Sequence, residues 1–442
     1  MQDELLKAQA QRKLLYLGSR PLATVLRPRL VSGTEQAAVA QAGTQVASAA
    51  QTLVSHFLSG RGDDLSKLVH TTLALSPVER TLARLPSVGP VSSYGRLDGF
   101  RTDDALMFVE YNADSCACAL SQDLLVEAYT STSFMQEIDD SCQLDHTPAV
   151  ERMAELALRT WKEGGEPGGA PEVAVVDWPQ GSWAWEFEPL CAALRARGAT
   201  ALCCTPDDLE FTAGRLATRG PDRQLQPITL VIRRVPVGDL VSRLGHHLLE
   251  HPLVRASAAG GCVVMNPLAA DLVQRKSLFA LLDDERVRAH LPADQATALS
   301  RHIPWTRVVR RGSVTVPGGE RDLLEYAAEQ RERLVLKPDN GYAGQGVKLG
   351  WQCSPREWEA TLRLALSTPY VVQERVAVPR VPYPVVQDGC LSFPLLAEST
   401  DPMIFGGAAD GIVCRHSGTS TLNVSCGGAL TPAFTVCPSG LT

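Results

Sequence analysis

The sequence lacks the features of membrane, secreted and nucleic-acid-binding proteins. In its 442 residues no apolar run approaches the roughly 20 residues that span a bilayer. Residues 1–20 are charged throughout and contain no apolar core of a secretion signal. Lys and Arg, 42 in all, do not outnumber the 49 Asp and Glu, and the net charge of −7 disfavours a nucleic-acid surface. We therefore expect a cytoplasmic protein without membrane or nucleic-acid partners.

Three common site motifs are also missing. The twelve cysteines include no CxxC pair, so a zinc ribbon is not expected and the thiols are predicted to be free. No GxGxxG follows the predicted buried strand at 173–178, which excludes the dinucleotide-binding fingerprint. The glycine-rich segment after Lys337 does not read GxxxxGKS or GxxxxGKT, which excludes a P-loop.

The length predicts two or three structural units. An alanine-rich segment with helical spacing predicts a helix over 36–58, and a second helical stretch, 63–84, should break near Pro77. Short apolar strands then alternate with helical segments, which is typical of a parallel α/β layer. These predicted strands are 173–178, 199–205, 228–234 and 260–267.

A block with the pattern of a hairpin carries the first candidate site. Glu110 and Asn112 are two residues apart, so on a strand their side chains face the same side. The preceding strand could place Asp98 opposite them, with Arg96 on the same face. Two carboxylates and an amide oxygen are suited to Mg²⁺. An edge hairpin with solvated charges is the alternative interpretation of the same residues.

Lysines and glycines form the second candidate site. Lys337 ends a predicted apolar strand, where a buried lysine needs a partner. Three closely spaced glycines follow, Gly341, Gly344 and Gly346, and such a loop lets backbone N–H groups approach phosphate oxygens. A plain turn is the alternative. Lys276 lies in a helix that the pattern predicts over 270–290.

The third candidate is Arg415, in a late apolar strand with Asn423 nearby. Its planar fork of donors suits a phosphoryl or acyl-phosphate oxygen. A salt-bridged structural arginine is the alternative.

Taken together, these segments resemble the synthetase domain of glutathionylspermidine synthetase and related circularly permuted ATP-grasp proteins. The magnesium block precedes both lysines, which is the order of the permuted form. The resemblance covers residues 94–436 discontinuously. The segments that carry it are RLDGF (96–100), FVEYNADS (108–115), NPLAADLVQRKSLFALL (266–282), LVLKPDNGYAGQGV (334–347), YVVQERV (370–376) and GIVCRHS (411–417).

The resemblance implies an α/β, circularly permuted ATP-grasp fold with α+β elements. It implies an N-terminal helical region at 1–93, an ATP-grasp domain formed by 94–118 and 265–442, and an inserted parallel α/β substrate domain, the pre-ATP-grasp domain, at 119–264. The Cys–His amidase domain of the bifunctional relatives has no counterpart in the N-terminal region, and no residues for glutathione or spermidine can be matched.

The resemblance also implies an ATP-dependent carboxylate–amine ligase that uses Mg²⁺. An acyl phosphate would form on a small acid or peptide, and an amine, amino acid or polyamine would then attack it. The implied metal ligands are Asp98, Glu110 and Asn112. The implied ATP-binding residues are Lys276, Lys337, Gly341, Gly344, Gly346, Gln373, Glu374 and Val376. The implied catalytic residues are Arg96 and Arg415.

Two alternative functions remain at this point. An ATP-grasp kinase would stop at phosphoryl transfer and need no amine site. A non-catalytic nucleotide-binding protein would bind ATP without turnover, although it would be expected to have lost at least one of the candidate residues. The acid, the amine and the oligomeric state are left open by the sequence.

Overall fold

The computed structural model describes residues 1–118, 120–165, 169–178, 184–219, 224–342, 344–387 and 389–437. Within these ranges the chain forms a mixed α/β structure with several sheets. No helix in the described ranges is long and apolar enough to cross a membrane.

The α-helices of the described residues are numbered α1 to α16 in chain order. They are α1 Gln2–Gln11, α2 Gly33–Leu58, α3 Asp64–Leu73, α4 Pro77–Ala83, α5 Ser121–Thr130, α6 Ser133–Ser141, α7 Ala149–Glu163, α8 Phe187–Ala196, α9 Val237–Leu244, α10 Pro252–Ala258, α11 Asp271–Gln274, α12 Lys276–Leu282, α13 Glu285–Arg288, α14 Ala293–His302, α15 Leu323–Glu329 and α16 Pro355–Leu364.

The strands of the described residues are numbered β1 to β26 in chain order. They are β1 Leu15–Tyr16, β2 Arg20–Pro21, β3 Arg29–Ser32, β4 Tyr94–Arg101, β5 Leu106–Asn112, β6 Gln143–Asp145, β7 Glu172–Val176, β8 Thr200–Cys204, β9 Leu209–Thr212, β10 Arg215–Arg219, β11 Leu225–Ile228, β12 Leu230–Arg233, β13 Val263–Met265, β14 Thr306–Val308, β15 Ser313–Val316, β16 Gly319–Asp322, β17 Leu334–Pro338, β18 Lys348–Leu349, β19 Tyr370–Glu374, β20 Arg380–Pro382, β21 Val385–Gln387, β22 Cys390–Ser392, β23 Leu395–Glu398, β24 Asp401–Phe405, β25 Ala408–Ser417 and β26 Ala429–Cys437.

Local signals set the boundaries of the N-terminal helices. The Ser32 side chain accepts a hydrogen bond from the Glu35 N–H and begins α2. Helix α3 ends at Ala74, whose backbone is left-handed. Ser76 and Glu79 form a reciprocal capping box, with Pro77 in the first turn of α4. The break predicted near Pro77 is therefore confirmed.

A nine-stranded sheet forms the larger scaffold. Its central order is β20-β23-β25-β24-β4-β5, and β26 pairs with β25. The final strand β26 also pairs with β3 from the N-terminal region and with β6 from the middle of the chain. One sheet thus joins segments from all three of the predicted domains.

A four-stranded antiparallel sheet, in the order β14-β19-β17-β18, forms the smaller scaffold. Its central strands β17 and β19 are apolar runs buried at nearly every position. Helices α15 and α16 cover it, and Trp358 is fully enclosed, with its indole N–H donating to the Ala327 carbonyl at 2.9 Å. This sheet carries Lys337.

The predicted parallel layer is confirmed. Strands β13-β12-β7-β8 lie side by side, and all three pairings are parallel. Charged residues tie this layer to the end of the β4–β5 hairpin. Arg233 forms a fully buried ion pair with Asp114, and the other oxygen of Asp114 accepts from the Val237 N–H at 2.7 Å.

The single helix predicted over 270–290 is wrong, because the structure divides this segment into α11, α12 and α13. The break falls at Arg275, whose backbone is extended. The Lys276 N–H donates to the Asp339 carbonyl at 3.1 Å instead of to the preceding helical turn. A tertiary hydrogen bond therefore replaces the helical one and makes Lys276 the first residue of a new helix.

Candidate active site

The hairpin brings the three predicted metal ligands together. Strands β4 and β5 are antiparallel, with Asp98 opposite Glu110 and Arg96 opposite Asn112. The register shifts after Asp98, at Gly99, where a bulge interrupts the ladder. The Asn112 amide donates to Asp98 Oδ1 at 2.9 Å. The prediction that these side chains share one face of the hairpin is therefore confirmed for Asp98 and Asn112.

Asp98 lies between two arginines. Arg96 Nε is 2.9 Å from Asp98 Oδ1, and Arg415 Nη2 is 2.8 Å from Asp98 Oδ2. Burial alone would raise the pKa of Asp98, but the charges of Arg415 and Arg96 outweigh it and hold that pKa below its usual value. Strands β4 and β25, more than 300 residues apart in sequence, are joined by this contact.

Asp401 is a member of the site that sequence reasoning missed. It is completely buried, and its Oδ2 lies 2.7 Å from Arg415 Nε. The Ser399 hydroxyl and the Gly99 N–H also donate to it, at 2.7 and 2.9 Å. Burial raises the pKa of Asp401 although Arg415 opposes the shift. Arg415 Nη1 donates to Asn423 Oδ1 at 3.2 Å, so all three of its nitrogens have partners.

We call Arg96, Asp98, Asp401 and Arg415 the arginine–aspartate cluster. Each of the four residues is less than 10% exposed. Its two positive charges match its two negative charges, so the cluster is formally neutral. No signal in the sequence marked Asp401, because an aspartate at the start of an apolar strand is common and its partner is known only from the fold.

Lys276 links the two scaffolds. Its side chain is buried, and Nζ lies 3.0 Å from Glu110 Oε1 and 2.5 Å from the Gly341 carbonyl. Glu110 is the more accessible partner, with 22% of its side chain exposed. The lysine thus contacts both the predicted metal hairpin and the start of the glycine loop.

Lys337 approaches the same hairpin from β17. Its Nζ donates to the Val109 carbonyl at 3.0 Å and to Gln373 Oε1 at 2.7 Å. Burial lowers the pKa of Lys337 to about 8; Glu110 works against this shift and Lys276 adds to it. The two predicted lysines and the predicted metal hairpin therefore converge. We call Lys276, Lys337, Glu110 and Gln373 the lysine cluster.

The three residues predicted along adenine occupy different environments. Gln373 is buried in β19; besides accepting from Lys337, it donates to Thr306 Oγ1 at 3.0 Å. Glu374 is half-buried, and its N–H donates to the Trp305 carbonyl at 2.8 Å. Val376 is half-buried just beyond β19. Gln373 therefore orients Lys337 in this structure.

The glycine loop requires glycine at two of its three predicted positions. Gly344 and Gly346 have φ values of +77° and +71°, which L side chains rarely adopt. A Cβ on Gly346 would lie 2.7 Å from Pro338 Cγ, and one on Gly344 would lie 3.0 Å from Asn423 Nδ2. The loop thus packs against the residue that holds Arg415.

Asp339 is a second residue whose role the sequence did not reveal. Its Oδ1 accepts from the Ser277 N–H at 2.7 Å and its carbonyl accepts from the Lys276 N–H. Its Oδ2 lies 3.4 Å from Arg275, which also pairs with Asp271 at 2.9 Å. Asp339 follows β17 closely, so it fixes the helix of one lysine to the strand of the other.

Asn266 anchors the hairpin to the segment that leads to Lys276. Its Oδ1 accepts from the N–H groups of Ser93 and Tyr94, at 2.9 and 3.0 Å. Its amide donates to the carbonyls of Tyr94 and Ala113, at 2.6 and 2.8 Å. One buried amide therefore satisfies backbone groups at the start of β4 and just beyond the end of β5.

The donor set fits a magnesium nucleotide. Asp98, Glu110 and Asn112 offer hard oxygen atoms, and two lysines stand beside them. Only two of these three ligands are carboxylates. Accordingly, the described residues contain no group of three His, Cys, Asp or Glu side chains arranged to hold a metal ion. Both carboxylates are paired with cations of the protein, so binding of a metal would require these ion pairs to exchange.

Comparison with known proteins finds a solved structure with a similar fold. No family model matches the chain, and no curated protein matches it. A glutathione synthetase-like effector from Globodera pallida, solved in its apo form, is similar over 98% of this chain and 97% of its own length. The sequence identity is 13% and the TM-score is 0.57. The chain therefore has the mixed α/β fold of this protein across nearly its whole length.

Two other solved structures are similar over part of the chain. The ATP-grasp ligase PsnB, in complex with a minimal precursor, Mg and ADP, covers 61% of this chain and 90% of its own, with 14% identity and a TM-score of 0.28. The D-cycloserine synthetase DcsG covers 60% and 91%, with 16% identity and a TM-score of 0.28. These scores are too low to support an argument about this chain.

Proposed function

We propose that the chain is an ATP-dependent carboxylate–amine ligase with a circularly permuted ATP-grasp arrangement. It would join a small acid or peptide to an amine, amino acid or polyamine, with release of ADP and phosphate. The observation that carries this proposal is the convergence of Lys276 and Lys337 on the Glu110 hairpin from two separate elements. The fold shared with a glutathione synthetase-like protein supports it.

In this proposal the lysine cluster binds the ATP phosphates. Lys276 and Lys337 bring two positive charges against the single carboxylate of Glu110, so one positive charge is left for an anion. Asp98, Glu110 and Asn112 would hold Mg²⁺, which when bound neutralises charge on the phosphates. Lys276 would donate from Nζ to a phosphate oxygen.

The proposed catalytic arginine is Arg415. Its Nη2 contacts Asp98, while Asp401 and Asn423 hold the other two nitrogens. Arg415 would donate through Nη2, with the rest of the guanidinium fixed in place by Asp401 and Asn423. A preorganised donor of this kind stabilises charge that develops on a transferring phosphoryl group or a tetrahedral intermediate. Arg96 would assist from the same face.

Gln373, Glu374 and Val376 would lie along the adenine. The loop with Gly341, Gly344 and Gly346 would cover the phosphates and keep water from the acyl phosphate.

The test of this function is ADP release with a panel of amino acids, short peptides and polyamines, combined with mass detection of the product. We expect turnover only when both a carboxylate and an amine are present, and a product joined by an amide. Glu110→Ala should abolish turnover. Glu359→Ala, at an exposed helical ion pair with Arg363, is the matched control and should keep it. Full turnover in Glu110→Ala would contradict the metal assignment.

One observation favours a second candidate, a non-catalytic nucleotide-binding protein. Every carboxylate of the predicted metal set is already neutralised by a protein cation. ATP binding by calorimetry without ADP release, across the whole substrate panel, would favour this candidate. A stable phosphorylated product, with no amide whatever amine is supplied, would instead indicate a kinase.

A further inference from the structure

A pair of cysteines lies outside the candidate active site, on the parallel layer. Cys191 is in α8 and Cys203 is in β8, the edge strand of that sheet. Their sulfur atoms are 3.7 Å apart, within the range of a thiol hydrogen bond. Cys191 is fully buried and Cys203 is exposed, so one thiol is accessible to solvent and the other lies directly behind it.

The surroundings of Cys203 favour its thiolate. The hydrogen bond with Cys191 lowers the pKa of Cys203, against the opposing effects of burial and of Glu188. The charge of Arg195 favours the thiolate as well. Arg195 is fixed there, because its Nε and Nη2 donate to the Ala201 carbonyl at 3.0 and 2.7 Å. An exposed cysteine beside a fixed cation is the usual environment of a reactive thiol.

The neighbouring cysteine provides a contrast in the same strand. Cys204 is half-buried, and alternation along β8 points it to the other face of the sheet. Burial raises the pKa of Cys204 to about 12. We therefore expect Cys203, and not the adjacent Cys204, to be reactive.

We propose that Cys191 and Cys203 form a thiol–disulfide exchange site that reacts with small-molecule disulfides. The Cys203 thiolate attacks one sulfur of the disulfide, forms a mixed disulfide and releases one thiolate. Cys191 then loses its proton to solvent and attacks the Cys203 sulfur, which releases the second thiolate. Two protein thiols are oxidised, the small-molecule disulfide is reduced to two thiols, and a Cys191–Cys203 disulfide forms.

The second step requires the two sulfurs to close from 3.7 Å to the bonded distance of about 2.05 Å. The two residues are 12 positions apart, at the surface edge of one sheet and the helix packed on it. The site is independent of the proposed ligase function.

The experiment treats the native chain with one equivalent of 5,5′-dithiobis(2-nitrobenzoate) and maps the tryptic peptides by mass. Cleavage after Arg195 and Arg197 separates Cys191 from Cys203, so their disulfide appears as peptide 163–195 linked to peptide 198–215. We expect this linked pair in the wild type. In Cys191→Ser the reagent should stay attached to Cys203, because the resolving thiol is gone.

Peptide 198–215 also contains Cys204, and two variants separate the neighbours. Cys203→Ser should abolish the linked pair, while Cys204→Ser, the matched control, should keep it. Linkage that survives Cys203→Ser, or a folded wild type that forms no linked pair, would overturn the proposal. With iodoacetamide at neutral pH, Cys203 should react about tenfold faster than the exposed Cys390. Equal rates would also count against it.

Discussion

The arginine–aspartate cluster and the lysine cluster meet at the same hairpin, yet their charges are balanced differently. In the first cluster two arginines meet two aspartates, every Arg415 nitrogen has a partner, and Asp401 is completely enclosed. In the second cluster Lys276 pairs with the one carboxylate, that of Glu110, whereas Lys337 donates to a carbonyl and an amide oxygen. The first is neutral, whereas the second keeps one positive charge.

This difference separates a set of charges that holds the fold together from a set that keeps positive charge in excess. A buried, balanced set of charges holds strands together, and removing one member leaves another charge unpaired. A buried excess of positive charge costs stability in the free protein and is compensated only when an anion arrives. The lowered pKa of Lys337 is the signature of that cost.

Arg415→Ala should be the most damaging change. It leaves Asp98 and Asp401 buried without their shared cation, and we expect a loss of about 3–5 kcal/mol in the free energy of unfolding. Urea unfolding followed by circular dichroism measures it. Arg363→Ala removes an arginine from an exposed helical pair and should change stability by less than about 0.5 kcal/mol. A loss under about 1 kcal/mol for Arg415→Ala would show that the cluster does not support the fold.

Lys337→Met, unlike Arg415→Ala, should affect ATP binding rather than lower the stability of the free protein. Loss of a charge-assisted contact should weaken ATP binding by about 1.5–3 kcal/mol. Stability of the free protein should hold or rise near pH 7, because a buried charge is removed. Calorimetry and urea unfolding on the same variant measure both quantities, with the exposed Lys67→Met as control. Unchanged ATP affinity would remove Lys337 from the binding site.

Gly346→Ala changes the glycine loop, and it should weaken ATP binding less than Lys337→Met does. Its positive φ and the nearby Pro338 ring make alanine strained there, at a cost of about 1–2 kcal/mol. We expect weaker ATP binding by this amount, measured by calorimetry. Gly169→Ala is the control, because the φ of Gly169 is not positive and an added Cβ there would meet nothing within 4 Å. Equal losses in both variants would contradict the role of the backbone conformation.

The pH dependence of the stability should report the ionisation of Lys337. Its pKa is about 8 in the fold and 10.5 ordinarily, so between these values the unfolded chain binds more protons. Stability of the wild type relative to Lys337→Met should therefore rise with pH across this window, by at most about 1.4 kcal/mol per pH unit. ATP affinity should fall as pH rises through about 8. A flat stability difference from pH 7.5 to 10.5 would show that the lysine is not desolvated.

Much of the framework was predictable because its signals are local. Strand alternation placed Glu110 and Asn112 on one face, and the hairpin turn brought Asp98 across from them. The alternation of apolar strands and helices predicted the parallel layer. Pro77, with its capping serine, separated two helices. For the hairpin and the helix break the cause lies within about 15 residues of the effect, where steric preference and hydrogen-bond capping act.

Local sequence patterns therefore account for most of the elements and for the residue types at the candidate site. The partners of those residues depend on the tertiary structure. Asp401 meets Arg415 across neighbouring strands, and Asp339 meets Lys276 and Arg275 across more than 60 residues of chain. A buried charge must be paired, but the chain offers 49 acidic residues for 42 basic ones, and nothing local selects among them. That selection follows from which strands the sheets place side by side.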